Sequence, residues 1–233
     1  YGKVGLFKPV IEKVLSAMSG SPYDFLMEFK VKKDGRLFSG IKYRFNENKD
    51  VICLLHIISH LLRSHKSIEN VFISFYKKAD SDTGNALTGF IDYALKTETA
   101  DVYGKNLKPK GLLQFFPSPS KGSACKRMNL FLRWMIRKRD IDFGIWKGIP
   151  ENKLIIPLDT HIAKISRCLG FTKRRSQGWR MAVEITNALK KLDPDDPLKY
   201  DFAMCHYGIS GLCSSKKSRR DNNCKKCLLK NPL

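Results

Sequence analysis

Apolar residues recur three and four positions apart through most of this chain, a period that belongs to helices packed on one face. Phe7–Met18 carries the pattern until Ser19-Gly20 stops it, and Ser21-Pro22 supplies an N-cap and a first-turn proline for a short helix through Phe29. Val51–His65, Ser67–Lys77 and Asn85–Lys96 read as three further helices. Lys30–Phe45 is the one stretch that looks extended, with Asp34-Gly35 as a turn, so a small hairpin or a loop is expected there. Phe116-Pro117-Ser118-Pro119-Ser120-Lys121-Gly122-Ser123 cannot be helical throughout, because its prolines lack the amide that a helix interior needs. A helix restarts at Ser123 and runs to about Lys138. Asp159–Leu169, Ser176–Leu192 and Pro197–Tyr207 complete the set. Between the last two, Asp193-Pro194-Asp195-Asp196-Pro197 reads as a helix stop and restart with Asp196 as the cap. The expected fold is all-α, in three parts: a helical region over 1–115, a hairpin-and-helix region over 116–208, and a basic tail over 209–233.

The charge points to a polyanion. Lys and Arg number 43 against 22 Asp and Glu, a net of +21, while 42% of residues are hydrophobic, too many for a disordered basic tail. The excess is uneven: residues 1–120 hold 18 basic and 12 acidic side chains, residues 121–233 hold 25 and 10. Seven basic residues and no acidic one lie between Lys121 and Arg139, and seven more between Cys213 and Lys230 face only Asp221. Runs of this kind in one half fit nucleic acid better than an anionic membrane surface, since no broad Trp/Leu face alternates with them. The apolar runs are too short and too often broken by charge to span a bilayer.

Seven cysteines, an odd number, argue against a secreted disulfide framework. Cys53, Cys125 and Cys168 sit in apolar or helical patterns and read as buried thiols. Cys205, Cys213, Cys224 and Cys227 crowd the last thirty residues as C-x7-C-x10-C-x2-C. Two residues between the final pair let one tight turn present both sulfurs to a metal, and zinc accepts such thiolates. Cys205 falls in a helical pattern and reads alternatively as a core thiol, which would put the fourth ligand beyond Leu233 or leave it missing.

Two helix starts carry candidate chemistry. Ser123-Ala124-Cys125-Lys126 puts a lysine in a first helical turn, against the macrodipole. Partial burial and the neighbouring charges of Lys121 and Arg127 would favour its neutral amine, the form that attacks a carbonyl or a sugar C1′. Leu158-Asp159-Thr160-His161 puts a carboxylate at an N-cap, where backbone N–H groups hold it ionised. His161 reads as a core histidine, with orientation of Asp159 as the alternative. Trp134, Trp146, Trp179 and the Phe115-Phe116 pair read as core, with base stacking as the alternative.

The segment Ile155-Ile156-Pro157-Leu158-Asp159-Thr160-His161-Ile162-Ala163-Lys164-Ile165 resembles the V-D-T-H-h-x-R-h segment of the helix-hairpin-helix DNA glycosylases, the superfamily of endonuclease III. In place of the usual L-P-G-h-G-x-x-T hairpin this chain has Pro117–Lys126, with a single glycine. The 33 positions from Lys126 to Asp159 are closer to the archaeal 8-oxoguanine glycosylase group, whose Schiff-base lysine begins a comparable helix. The whole chain, from Tyr1-Gly2 through Ser21-Pro22-Tyr23-Asp24-Phe25 to Tyr200-Asp201-Phe202-Ala203, also resembles a bacterial family related to these glycosylases. That family usually has a further N-terminal helical segment, which this chain is expected to lack.

The resemblance implies a helix-hairpin-helix glycosylase-like bundle with a cysteine-rich tail, and base excision from double-stranded DNA by a cytoplasmic, nucleoid-associated monomer. The base, an oxidised purine by the closest likeness, would be flipped into a pocket. Lys126, with Lys121 as the fallback, would form the Schiff base, and Asp159 would stabilise charge on the sugar; without lysine attack, water would take its place. Hairpin amides and the hydroxyls of Ser118, Ser120 or Ser123, with Lys121, Gly122 and Arg127, would hold phosphate. Lys216, Lys217, Arg219 and Arg220 would add contacts from the tail. The four late cysteines would hold a [4Fe–4S] cluster, with zinc as the alternative. The competing reading is a non-catalytic nucleic-acid-binding protein that keeps the fold and metal.

Overall fold

The computed structural model describes residues 2–210; Lys216, Lys217, Arg219, Arg220, Cys213, Cys224 and Cys227 lie outside them. Among the described residues all regular structure is helical. Twelve α-helices follow one another there: α1 (Val4–Ser16), α2 (Pro22–Glu28), α3 (Val31–Asp34), α4 (Asn48–His65), α5 (Ile68–Ser74), α6 (Gly84–Ala94), α7 (Ala100–Tyr103), α8 (Lys110–Leu113), α9 (Lys126–Ile136), α10 (Thr160–Cys168), α11 (Trp179–Lys190) and α12 (Asp201–Ile209). The described residues divide into two compact units: 2–75 with Ala86–Pro117, and Tyr76–Asn85 with 118–210.

The extended reading of Lys30–Phe45 is corrected. Phe38 and Ile41 turn inward as the chain passes through α3 and a 3-10 turn over Gly35–Phe38, and only Tyr43 and Asn46 pair as an isolated bridge. Phe38 is fully buried, against Phe25 and Phe29, with ring centroids 6.0 and 6.2 Å apart. Burial of that aromatic outweighs the alternation that suggested a strand. Around it pack Met18, Leu26, Ile41, Ile52, Leu55 and Leu62. α4 starts in a capping box in which Glu47 accepts from the N3 amide and Asp50 returns to the Glu47 N–H at 2.9 Å.

The second unit is built on α10, α11 and α12. Ile155, Ile156, Leu158, Ile162, Ile165, Met181, Ile185 and Leu189 form its apolar core. Gly208 lets α12 close on α10: a Cβ there would meet the Cβ of His161 at 2.6 Å. α9 is different, because Asn129, Leu132, Arg133 and Ile136 form its buried stripe, and the arginine in it is 5% exposed.

A second arginine, Arg137, follows one turn later at the helix end. It meets Asp196 through Nε and Nη2, at 2.9 and 2.8 Å, and both Asp140 and Asp142 through Nη1, each at 2.9 Å. Arg133 takes Asp142 Oδ1 at 3.2 and 3.1 Å from Nε and Nη2, and Asp201 from Nη1. Burial opposes the charge on Arg137, and the surrounding Asp196, Asp142 and Asp140 outweigh it. Asp196 therefore corrects the capping expectation. Its side chain makes no cap bond and is spent on Arg137, while the cap-like role passes to Asp193 Oδ1, which accepts from the amides of Asp195 and Asp196 at 3.2 and 3.0 Å.

Removing one member of a buried ion network strands the others. Arg137→Ala should therefore lower unfolding free energy by about 3–5 kcal/mol in urea melts. Arg139→Ala, whose side chain is 63% exposed and 3.6 Å from Glu151, should cost less than about 1 kcal/mol. Equal losses in the two variants would contradict the network's role.

Candidate active site

The Pro/Ser/Gly stretch folds as a compact turn. After a 3-10 turn over Pro119–Lys121, the N–H groups of Lys121 and Ser123 return to the Ser118 carbonyl at 3.2 and 3.3 Å, and that of Gly122 to Pro119 at 2.8 Å. These three amides are consumed by the turn itself. Ser118 also departs from expectation: it is 2% exposed and its hydroxyl lies 2.9 Å from that of Ser120, so it braces the turn from inside. Ser120, Lys121 and Gly122 face outward, and Ser123 is half-buried with its hydroxyl taken by the Cys125 amide at 3.2 Å.

α9 starts at Lys126, three residues later than the sequence pattern places it. The reason is Cys125, buried and left-handed at φ 49°, a conformation that ends the turn and cannot belong to a helix. Asn129 donates to the Ala124 carbonyl at 3.1 Å and locks the junction. Lys126 is thereby the first helical residue, still within the first turn where the sequence reading has it. Burial pushes the Cys125 thiol up to about 11, and it serves as packing.

Asp159 caps α10. Its Oδ1 accepts from the amides of His161 and Ile162, each at 2.9 Å, and its Oδ2 lies 2.9 Å from Lys126 Nζ. Two helix starts far apart in sequence thus bring one amine against one carboxylate. The lysine side chain is 48% exposed and the aspartate 14%. Burial alone would raise the Asp159 pKa, but the Ile162 N–H and the Lys126 ammonium outweigh it and hold the carboxyl below its usual value. His161 contributes its backbone N–H, while its side chain lies against Gly208.

Two more groups complete the site. Cys205, on α12, points its thiol at Asp159 Oδ2 from 4.0 Å. Burial, with the charges of Asp159 and Asp201, raises that thiol's pKa. A thiol so held can donate to the carboxylate. Asp201, one turn earlier on α12, is pushed up to about 6 by burial, against the pull of Arg133, with the charge of Asp159 adding to the rise. Among the described residues no three His, Cys, Asp or Glu side chains gather as a metal-binding group. The other three cysteines of the expected metal set, Cys213, Cys224 and Cys227, lie outside those residues.

Arg127 is exposed beside Lys126. Of the aromatics, Phe116 and Trp146 are buried, and Trp146 stacks edge-on with Phe131 at 5.4 Å. Sequence reasoning missed Asp201 and Arg133, which carry no motif, and a basic loop at Lys173-Arg174-Arg175 that composition alone does reveal.

The fold and site define an all-α protein with a lysine–aspartate pair at the starts of two helices. A family model described as "Protein of unknown function (DUF2400)" matches residues 1–210, and the chain belongs to that family. No curated protein and no solved structure matches the chain. Among the described residues no helix is long and apolar enough to cross a membrane.

A carboxyl whose pKa rises on folding keeps its proton to higher pH in the native state than in the unfolded one. Asp201 therefore stabilises less as pH climbs from about 4 to about 6, and its cost is complete above that window. In urea melts the stability of the wild type relative to Asp201→Asn should fall across that range by on the order of 2–3 kcal/mol and then level off. A difference that stays flat from pH 4 to 7 would show that Asp201 titrates normally.

Proposed function

We propose that this chain is a base-excision DNA glycosylase with AP lyase activity, acting on a damaged base, an oxidised purine by its likeness to the archaeal 8-oxoguanine glycosylase group, in double-stranded DNA. The observation that carries the reading is the 2.9 Å contact between Lys126 Nζ and a carboxylate kept anionic by the start of α10. That pairing supplies an amine and a fixed negative charge within reach of one atom of a bound sugar.

Bond by bond, the glycosidic C1′–N bond breaks, the departing base takes up a proton, and Asp159 balances the positive charge left on the sugar. Lys126 forms a bond to C1′ as its neutral amine, having lost its proton to solvent through its exposed side, so that Asp159 stays anionic. Opening of the sugar ring gives the Schiff base, and loss of a C2′ proton then expels the 3′ phosphate. The lysine's exposure suits a side chain that must swing from its aspartate to a substrate. Ser120, Lys121 and Arg127 are exposed at the turn or beside it, where a phosphate would be held, while Gly122 and Ser123 shape the turn with their amides turned inward. The reading extends to a [4Fe–4S] cluster or zinc on the late cysteines.

Borohydride trapping on duplexes carrying an abasic site or 8-oxoguanine tests the proposal. The full chain should yield a covalent adduct and Lys126→Ala none, while Lys121→Ala should still form the adduct at saturating duplex. Asp159→Asn should slow excision on the order of 100-fold or more while leaving duplex affinity within a few-fold. Duplex binding with neither adduct nor excision would favour the non-catalytic reading.

A further inference from the structure

Lys173, Arg174, Arg175 and Arg180 set four cations within eight residues and no acidic residue among them, in a segment that neither the hairpin nor the lysine–aspartate pair uses. The loop is firmly built. Arg167, on α10, donates from Nε to the Arg174 carbonyl and from Nη2 to the Arg175 carbonyl, each at 2.8 Å. The Arg174 amide donates to the buried Thr172 hydroxyl at 3.1 Å.

The loop is also joined to the hairpin. Ser123 and Gly178 form an antiparallel bridge, and the Trp179 N–H donates to the Gly122 carbonyl at 3.0 Å. A side chain at 178 would break that junction, since its Cβ would lie 2.7 Å from the same carbonyl. Between the two segments is a cavity of about 490 Å³, lined by Gly122, Arg174, Arg175, Ser176, Gly178 and Arg180 among others. Arg174 spends its charge on Glu184 at 2.7 Å. Lys173, Arg175 and Arg180 are exposed and have no carboxylate partner among the described residues.

We propose that this cavity and its rim are a second clamp for the phosphate backbone of double-stranded DNA, continuous with the hairpin across the Gly122–Trp179 contact. Guanidinium forks match phosphate oxygens in pairs, and cations spread along a loop suit successive phosphates of a strand more than one small anion. Gly122, the neighbour of Lys121, lines the same cavity as Arg175 and Arg180, so a strand held at the turn would run toward them. The contacts carry no sequence information, so the clamp sets orientation on the duplex rather than choice of base. This inference rests on the reading of the chain as a DNA-binding protein, and not on excision.

Fluorescence anisotropy with a labelled, undamaged 20-base-pair duplex, titrated at several salt concentrations, tests it. Arg175→Ala/Arg180→Ala should weaken binding at least about tenfold near 0.1 M salt and reduce the log–log salt slope by about two, one per lost phosphate contact. Lys138→Ala/Lys147→Ala, an equal loss of charge elsewhere, should change affinity less than about threefold with the slope unchanged. Arg175→Lys/Arg180→Lys should recover most of the slope, which a misfolded loop would not. The clamp is overturned if the alanine pair behaves as the control pair, if the lysine pair binds as poorly as the alanine pair, or if the unaltered chain does not bind the duplex. Trapping reads the other claim separately. Loop-dependent binding without an adduct leaves the clamp and removes the glycosylase; an adduct with loop-independent binding does the reverse.

Discussion

Two arginines one helical turn apart on α9 hold the second unit's site in register. Arg133 and Arg137 are buried, and between them they bind Asp140, Asp142, Asp196 and Asp201. Buried guanidinium groups are costly unless every fork is met, and here three separate chain segments meet them. The loop after α9 supplies Asp140 and Asp142, the turn before α12 supplies Asp196, and α12 itself supplies Asp201. α9 carries Lys126 at its start and α12 carries Cys205, so the same ion network sets where both arrive around Asp159. An apolar seam would allow α9 to rotate or slide by small steps. A bidentate network does not, because a shift of an ångström breaks several charge-assisted bonds at once.

That rigidity separates two carboxylates that sit close together on different helices. Asp159 accepts two amides and an ammonium and stays ionised; Asp201, deeper and with one guanidinium shared with Asp142, holds its proton up to about 6. Environments that push neighbouring acids apart in this way assign them different tasks. Asp159 is the fixed anion. Asp201 is a neighbour that becomes neutral as pH falls, and its charge is one reason the Cys205 thiol keeps its proton. The charge beside Asp159 therefore depends on pH even where Asp159 itself does not titrate.

Much of the fold was legible because local rules and packing agree. α2 follows from Ser21-Pro22, α10 from Asp159 as its cap, and the long α4 from its apolar stripe. Legibility fails where a tertiary contact overrules a local signal. Phe38 turns the first half of Lys30–Phe45 helical because the ring has a core to enter; Cys125 delays α9 because its left-handed backbone ends the hairpin. Asp196 reads as a cap until Arg137, 59 positions earlier, claims it. In the site, Lys126 and Asp159 were visible because each sits at a helix start with a local signature. Asp201 and Arg133 were not, and Cys205 was read as a metal ligand or a core thiol but not as a neighbour of Asp159, because these places are made by α12 lying against α10 and α9, which no spacing encodes.

The same distinction applies to the charge. A net of +21 says that the chain suits a polyanion, but not where it would be held, since net charge acts through the field of the whole molecule. Position decides that. Arg133 and Arg137 belong to the most basic run in the described residues, yet both are buried and neutralised, so two of the seven cations between Lys121 and Arg139 contribute nothing to an outer surface. The Lys173–Arg180 segment is shorter and less conspicuous, but Lys173, Arg175 and Arg180 are exposed on a backbone fastened to the hairpin. Basic residues that fold the site and basic residues that meet a partner look alike in composition, and burial separates them.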